Sequence, residues 1–384
     1  MGDRIIYDYK LKVLSPIHIG NGEELAPVDY CKINNNVYVI DSDKLFEDNR
    51  FDEEKFIEQV RRYRDFHWDK FNTSLPQEYD KYRMKVSVPK KSANDIGNIF
   101  AFMKTGGKPF IPGTSLKGAI RTIILKVLVS QLPDEKFKKA LISGKKKANN
   151  PKEVGRILNK KIFGSDPTTD IMKGIQVSDS TKVDANKLKI YPIKTIKQKK
   201  YEYEVKFWAN HGEFLSCETE VEGNIVIDWG KISNALKEEK VSKYFSEAEM
   251  KKYLRYIEEN ILEIIKEMGQ LRTENEINYF DKYADGRFDS IVEFYQKLQK
   301  KEKPLIRLGR FSGYMDKSLG DEIKALDKNL LMSIVRDYYR KYSPRDFPVT
   351  RLLLKKERNN KEEFSYPPGW AEMELSKKRT AELD

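Results

Sequence analysis

The stretch that most constrains the fold of this chain is a loop rich in glycine and proline that leads directly into an apolar helix, over residues 106–130. Pro112 and Gly113 interrupt the extended segment that precedes them. Apolar side chains then recur at helical spacing, at Leu116, Ile120, Ile123, Ile124, Val127 and Leu128. The pattern predicts a helix that packs one face into a core, and Gly113 and Gly118 would let another backbone come close to its first turns.

Polar residues at the start of this helix point to an anion-binding site. Thr114 or Ser115 is predicted to cap the helix by accepting a backbone N–H bond. Lys117 and Arg121 lie four residues apart, in the turns where the helix dipole disfavours cations. An anion at the helix N-terminus would relieve this conflict, because the N–H groups, the dipole and both side chains would attract it. A buried helix whose two cations reach solvent explains the same spacing, so both interpretations stay open here.

The charge of the chain favours a polyanionic partner. Its 384 residues carry 72 Lys and Arg against 60 Asp and Glu, a net charge of +12. Such a surplus favours nucleic acid over a membrane, and we find no apolar stretch long enough for a membrane span. Cys31 and Cys217 lie far apart and have no metal-ligand spacing. We therefore expect a cytoplasmic protein with no metal and no cofactor, and the alternating N-terminus does not resemble a secretion signal.

A second motif follows the first predicted strand. Residues 4–14 alternate between apolar and charged side chains, which predicts a half-buried strand. The strand ends in a turn that contains Pro16, His18 and Gly20. His18 either ties this turn together through the backbone or contacts a phosphate or base at the strand end, and residue type alone favours the first.

A further motif lies late in the chain. A short strand at residues 305–308 runs into a loop with two glycines, Gly309 and Gly313, and with cations that include Arg307 and Arg310. Glycines let a loop approach a phosphate chain, arginine supplies forked donors, and the aromatic residues beside them can stack on bases. The pattern favours RNA binding over a simple turn.

Four motifs in this order resemble those of the RAMP superfamily, the RNA-binding subunits of CRISPR effector complexes. They are SPIHIG at residues 15–20, IPGTSLKGAIR at 111–121, IFGS followed by GIQVSD at 162–179, and the glycine-rich loop at 307–313. Asp179 closes the third motif, and we expect it to accept bonds from backbone amides and brace the central loop rather than to act as a catalytic acid.

The resemblance implies an α+β fold of two ferredoxin-like (RRM-like) units with helical insertions. We place the first unit at residues 1–185, with the central loop and helix. The second unit then covers residues 186–358, with a long helical insertion and the glycine-rich loop. Residues 359–384 are interpreted as a charged tail, either flexible or a strand that docks on a partner.

The chain length, the single central motif and the ending FPVTR at residues 347–351 narrow the resemblance to the fifth subunit of the type III-A CRISPR Csm complex. The resemblance implies CRISPR RNA (crRNA) and the other Csm subunits as partners, above all the repeated backbone subunit, with cellular nucleases as further candidates. The implied role is to cap the 3′ end of crRNA and to support its maturation in antiviral defence. We expect the RNA backbone to be held, whatever its base sequence, by His18, Gly20, Gly113, Thr114, Ser115, Lys117, Gly118, Arg121, Arg307, Gly309, Arg310 and Gly313.

Two other functions stay open. A metal-independent endoribonuclease that processes crRNA would need a histidine as general acid or base. The chain offers His18, His67 and His211, and none of them has a second catalytic group beside it in the sequence, so we expect a binding subunit rather than an enzyme. The surroundings of His211 predict a turn between strands. A structural adaptor that recruits a cellular nuclease is the second alternative, and it is compatible with RNA binding.

Overall fold

The computed structural model describes residues 4–61, 66, 68–71, 75–89, 95–148, 151–166, 168–206, 210–237, 242–336 and 347–381. The strands are β1 (Arg4–Val13), β2 (Gly20–Leu25), β3 (Tyr30–Ile33), β4 (Asn36–Ile40), β5 (Asp80–Val86), β6 (Ile99–Phe102), β7 (Lys104–Thr105), β8 (Lys108–Pro109), β9 (Ile175–Val177), β10 (Leu188–Gln198), β11 (Tyr203–Val205), β12 (Asn210–Leu215), β13 (Glu220–Asp228), β14 (Leu305–Arg307), β15 (Thr350–Arg358), β16 (Lys361–Tyr366) and β17 (Trp370–Ala381). The α-helices are α1 (Ser42–Phe46), α2 (Glu53–Arg61), α3 (Leu75–Glu78), α4 (Gly113–Ser130), α5 (Asp134–Lys147), α6 (Pro151–Phe163), α7 (Trp229–Leu236), α8 (Glu247–Asp281), α9 (Asp289–Gln299), α10 (Gly320–Leu326) and α11 (Lys328–Arg336).

One sheet has the strand order of a ferredoxin-like unit. It runs β14-β17-β1-β13-β9, and every neighbouring pair is antiparallel. Taken in chain order, β1, β9, β13 and β17 are strands one to four, so the sheet has the order 4-1-3-2. Helix α4 follows the first strand and α8 follows the third, as the two helices of such a unit do, and β14 extends the edge beside β17.

The alternation of β1 decides which face of this sheet is buried. Tyr9, Leu11 and Val13 are at most 1% exposed, whereas Lys10 and Lys12 between them stay accessible. The buried face packs against α4 and α8, whose inward residues include Ile120 and Ile257. The strand predicted at residues 4–14 and the helix predicted after Pro112 thus pack their apolar faces into the same core.

The opposite face of this sheet, which we call the open face, carries neutralised charges. Lys10 pairs with Glu220 at 2.7 Å, and Lys303 pairs with Glu374 at 2.6 Å. The other ion pairs on this face are Lys12–Glu218, Lys301–Glu372 and Lys378–Asp8. An RRM-type surface would present aromatic side chains for base stacking, whereas this face presents lysine–carboxylate pairs.

The second sheet is larger and joins segments from most of the chain. Its main path is β2-β6-β12-β10-β5-β4-β3, and β11 and β15 also pair with the long strand β10, while β16 pairs with β15. The pairs β10–β5 and β12–β6 are parallel, and the other pairs of this sheet are antiparallel. The α+β class of ferredoxin-like units with helical insertions, as expected from the sequence, is confirmed by this architecture.

The C-terminal segment corrects one expectation. Strands β16 and β17 lie within residues 359–384, and β17 pairs with β1 from Arg4↔Ala381 to Val13↔Ala371. The segment as far as residue 381 is therefore built into both sheets rather than forming a flexible tail, because its backbone hydrogen bonds go to β1, β14 and β15. Strand β1 also pairs with β13, across the predicted boundary at residue 185, and the division into residues 1–185 and 186–358 stays a prediction.

The helices do not include a membrane span in the part of the chain that the structure describes, since none there is both long enough and apolar enough to cross a bilayer.

Candidate nucleic-acid interface

Three segments that are far apart in the sequence meet around one cleft of about 510 Å³. They are the start of β2 at Gly20, the first turns of α4, and the glycine-rich loop after β14. The lining residues are Ile19, Gly20, Gly22, Thr114, Ser115, Gly118, Ala119, Thr122, Arg307, Leu308, Gly309, Arg310, Ser312, Asp316 and Lys317. The fold thus brings together three of the four motifs on which the family resemblance rests.

The remaining motif, which ends at Asp179, braces the start of α4 from behind together with the adjacent Ser180. The carboxylate of Asp179 accepts the Gly113 N–H at 2.8 Å, and the Ser180 hydroxyl accepts the Ile111 N–H at 2.9 Å. The expectation that Asp179 binds backbone amides is confirmed. The predicted cap is wrong: the N-cap residue is Pro112, whose ring has no acceptor, and Asp179 on another element accepts the first helical N–H instead.

The two glycines of α4 have different surroundings. A Cβ atom at Gly113 would lie 2.1 Å from the Val177 carbonyl oxygen, so only glycine lets α4 begin against the end of β9. A Cβ atom at Gly118 would meet nothing within 4 Å, and this exposed residue lines the cleft. Glycine inside a helix costs about 0.5–1 kcal/mol relative to alanine. Packing within the chain does not account for that cost at Gly118, and close approach of a ligand would.

The glycine-rich loop docks on the turn before β2. Gly309 has φ +90°, and a Cβ atom there would lie 2.3 Å from the His18 carbonyl oxygen. The same oxygen accepts the Arg310 N–H at 2.9 Å. Gly313, with φ +105°, lets the loop turn back towards Asp316. Backbone contacts therefore hold the turn at residues 15–20 and the glycine-rich loop at a fixed separation.

Arg310 and Lys317 give the cleft its charge. The Arg310 side chain is exposed, and its guanidinium lies 4.2 Å from the centre of the Phe100 ring. Lys317 donates to the Arg310 carbonyl oxygen at 2.7 Å. Its pKa is lowered to about 8, chiefly by loss of solvation, with repulsion from Arg307 and Arg310 added and Asp316 opposing. Neither side chain forms an ion pair among the described residues, so both are available to an anion.

Arg307 serves the loop rather than the cleft. Its guanidinium donates to Asp316 at 3.1 Å and to the Pro368 carbonyl oxygen at 3.0 Å, and its side chain is 6% exposed. Asp316 also accepts a bond from Arg272 of α8 at 3.1 Å. The predicted RNA contact of Arg307 therefore shifts to a bracing role, because its donors are engaged inside the protein.

Lys117 and Arg121 face away from the cleft. Arg121 pairs with Asp170 at 2.6 Å, donates twice to the Asn159 side chain, and stacks 4.4 Å from the centre of the Phe163 ring. Lys117 lies near Asp170 and Arg121, and its pKa is lowered mainly by burial. The sequence correctly places both cations on one helix face, but that face is not the one that carries Thr114, Ser115 and Gly118.

His18 is a buried part of the scaffold. Its side chain is 1% exposed, and its Nδ1 lies 2.7 Å from the Glu213 carbonyl oxygen. Four phenylalanine rings surround it at centre distances of 5.1–6.3 Å: Phe100, Phe102, Phe214 and Phe311. Its pKa is lowered to about 4, chiefly by burial; the bond to Glu213 opposes this shift, and repulsion from Arg310 and Lys104 adds to it. A buried neutral ring does not fit the expected contact with RNA; His18 ties the turn to β12.

Of the other two histidines, the structure describes only His211. His211 is 3% exposed and lies in β12 rather than in the predicted turn, and His67 lies outside the described residues. No group of three or more potential metal ligands occurs among the residues that the structure describes.

Comparisons with known proteins identify the family of the chain. The RAMP superfamily matches residues 10–316 of the chain. A curated relative, the CRISPR system Cms protein Csm5 of Streptococcus thermophilus, is 29% identical over 136 residues, which is 31% of this chain and 38% of the relative. The match thus spans well under half of that relative.

Two solved structures share the whole fold. A chain of the type III-A Csm–crRNA–target RNA ternary complex, solved by cryo-EM, has a TM-score of 0.69 at 22% identity, over 97% of this chain and 100% of that one. The crystal structure of T. onnurineus Csm5 has a TM-score of 0.63 at 21% identity, over 94% and 99% of the two chains. At these identities the likeness concerns the fold.

The chain belongs to the RAMP superfamily, because the family matches it over most of its length. The four motifs and the cleft that three of them line are consistent with this class. Within the superfamily it is a Csm5-like member, similar to Csm5 in sequence and in fold.

Proposed function

We propose that this Csm5-like chain is an RNA-binding subunit of a type III-A CRISPR ribonucleoprotein and that it holds the crRNA backbone in the cleft. The observation that carries the proposal is the convergence of the β2 start, the α4 start and the glycine-rich loop on one cleft. Arg310 and Lys317 offer that cleft two cations that form no ion pair among the described residues. The sequence similarity to Csm5 supports the assignment to the Csm complex.

Binding by the cleft would not depend on base sequence. Its donors are the hydroxyls of Thr114 and Ser115 and the two cations, which suit phosphate oxygens. Phe100 and Phe311 lie under the Arg310 guanidinium and fix its position. Target specificity would then come from base pairing of the bound RNA.

The finer role is a cap at the 3′ end of crRNA. Similarity to Csm5 supports it, together with a cleft bounded by a single copy of each motif, which suits the end of a strand. The chain would then support crRNA maturation by protecting the bound 3′ segment, so that trimming stops at its edge. A partner nuclease would remove the RNA beyond that edge. The other Csm subunits, above all the repeated backbone subunit, would flank it, within the cytoplasm.

The experiment uses purified full-length chain and end-labelled single-stranded RNA that carries a CRISPR repeat tag and a 3′ extension. Gel shift and cleavage are read in the same tubes, with EDTA and with Mg²⁺. We expect a salt-sensitive gel shift in which the RNA stays intact. The double substitution Arg310→Ala with Lys317→Ala should weaken this shift. Cleavage in EDTA that disappears in His18→Ala would contradict it and favour the endoribonuclease.

Reconstitution of the Csm complex tests the 3′ role. Complexes that lack this chain, or carry the double substitution, should contain crRNA with longer and more heterogeneous 3′ ends than the wild-type complex. Unchanged 3′ ends in both would remove the capping and maturation role, while the binding result would stand.

A further inference from the structure

A second concave basic surface lies on the ten-stranded sheet, on residues that belong to none of the four motifs. It is a groove of about 340 Å³ between β4, β5 and β10. We call this surface the sheet groove. Its polar lining residues are Asn36, Arg83, Lys85, Asn186, Lys189 and Ser216. Met84 and Leu188 complete its lining, so it contains no carboxylate.

The register of the sheet forces the cations of the groove together. Lys85 on β5 and Lys189 on the parallel strand β10 are direct partners. Arg83 lies two residues before Lys85 and so points to the same face. Like charges at directly opposed sheet positions destabilise a sheet. A fold that keeps this opposed pair, with Arg83 beside it, gains from an anion that the chain itself does not supply.

The carboxylates of neighbouring elements do not compensate these cations. Asp184 accepts the Asn186 backbone N–H at 2.8 Å, and Glu218 pairs with Lys12 at 2.6 Å. Glu363 is the strand partner of Lys356 rather than of a groove cation. Arg83, Lys85 and Lys189 have no ion-pair partner among the residues that the structure describes. Burial lowers the pKa of Lys189, and the nearby Lys356 and Lys85 lower it further.

The open face of the other sheet shows that this arrangement is not a general feature of the surface. There, each of the lysines named above lies within 3.5 Å of a carboxylate. The sheet groove also carries lysine and arginine on adjacent strands, but there they have no ion-pair partner among the described residues. A surface that needed only solubility would not distinguish the two faces in this way.

We propose that the sheet groove is a second phosphate-binding site, which holds a stretch of RNA backbone separate from the segment in the cleft. Arg83, Lys85 and Lys189 bind successive phosphate oxygens. Asn36, Asn186 and Ser216 supply the neutral donors and acceptors that reach sugar hydroxyls. The inference rests on the proposed function only for the identity of the polymer, since the charge argument stands without it.

The test measures RNA affinity of the full-length chain by fluorescence anisotropy over a series of salt concentrations. One RNA of about six nucleotides is long enough for the cleft alone, and one of about thirty is long enough for both sites. The groove variant is Arg83→Ala with Lys85→Ala and Lys189→Ala. The matched control is Lys10→Ala with Lys12→Ala and Lys303→Ala, which removes the same charge from the open face. Thermal unfolding of each variant checks that it is folded.

The groove variant should bind the long RNA at least about tenfold more weakly, and its salt slope should fall by about 2, since each lost phosphate contact removes about 0.7. Its affinity for the short RNA should stay unchanged, and the control should bind both RNAs like the wild type. Equal losses in the groove variant and the control would overturn the proposal in favour of net charge alone.

Other outcomes also overturn it. An unchanged affinity of the groove variant for the long RNA, or no salt-dependent binding of that RNA by the wild type, would leave an acidic protein surface as the partner of the groove. An equal loss of affinity for the short and the long RNA would mean that the groove and the cleft form one binding site rather than two. Failure of the proposed function is distinguishable, because it appears as an unchanged affinity for the short RNA after Arg310→Ala with Lys317→Ala.

Discussion

Replacement of Gly118 by alanine separates the stability of α4 from its function. A Cβ atom at this position would meet no protein atom within 4 Å, and the residue is an interior position of an 18-residue helix. Alanine should therefore raise the free energy of unfolding by about 0.5–1 kcal/mol, because it restricts the unfolded chain and suits the helix. In most binding proteins a stabilising surface substitution has no functional cost, and here we expect one.

The cost arises because Gly118 lines the cleft beside Thr114, Ser115 and Thr122. A methyl group there would stand where the RNA backbone approaches the helix. Forcing one methyl into a filled site costs about 1 kcal/mol or more, so RNA affinity should fall about fivefold or more. The geometry therefore predicts that Gly118→Ala raises the stability of the chain and lowers its affinity for RNA.

Gly155 provides the matched control. It also lies inside a helix, α6, and is exposed, and a Cβ atom there would meet nothing within 4 Å, but it is outside the cleft. Gly155→Ala should stabilise the chain by a similar amount and leave RNA binding unchanged. Denaturant unfolding and RNA anisotropy on both variants test this. If Gly118→Ala binds RNA as well as Gly155→Ala does, the close approach of RNA to α4 is refuted.

Four further predictions follow from particular contacts. Gly113→Ala should lower the free energy of unfolding by about 1–3 kcal/mol or more in a denaturant titration, since its methyl would lie 2.1 Å from the Val177 carbonyl oxygen; a stable variant would contradict the packing of α4 on β9. Arg121→Ala should cost roughly 1–2 kcal/mol of stability and leave the salt slope of RNA binding unchanged, because Arg121 pairs with Asp170 and Asn159; a flatter slope would return it to the interface. RNA affinity should fall as the pH rises through about 8, where Lys317 loses its charge, and Lys317→Arg should remove this dependence in an anisotropy titration. Stability should fall as the pH drops from 6.5 towards about 4, since the buried His18 stays neutral in the folded chain while the unfolded chain takes up the proton; His18→Asn should flatten that part of a pH-dependent unfolding curve, and an unflattened curve would contradict the burial of the ring.

Much of the fold could be predicted from local patterns. The strand at residues 4–14 and the helix after Pro112 are both present, because period-two and helical spacing report directly on which face is buried. The hairpin of β3 and β4 follows from two apolar runs joined by consecutive asparagines. The position of Asp179 behind Gly113 was also predictable, from the motif in which it stands.

Partners that are distant in the sequence could not be predicted. Arg121 and Arg307 look like phosphate ligands until Asp170 and Asp316 are seen beside them. The neighbours of His211 in the sequence favour a turn, yet it lies in β12, whose partner strands come from residues 99–100 and 188–193. Residue type and spacing do not reveal which charges meet after folding, so only the geometry separates the free cations of the cleft from the braced ones.

The central claim is that RNA lies in the cleft between α4 and the glycine-rich loop. Ultraviolet crosslinking of the assembled ribonucleoprotein, followed by mass spectrometry of the crosslinked peptides, tests it most directly. We predict crosslinks from this chain within residues 19–22, 114–122 and 307–317, the three segments that contribute the lining of the cleft. Crosslinks confined to the open face, around residues 8–12, 220–224 and 372–378, would contradict it and would mean that RNA lies on the ion-paired surface of the ferredoxin-like sheet.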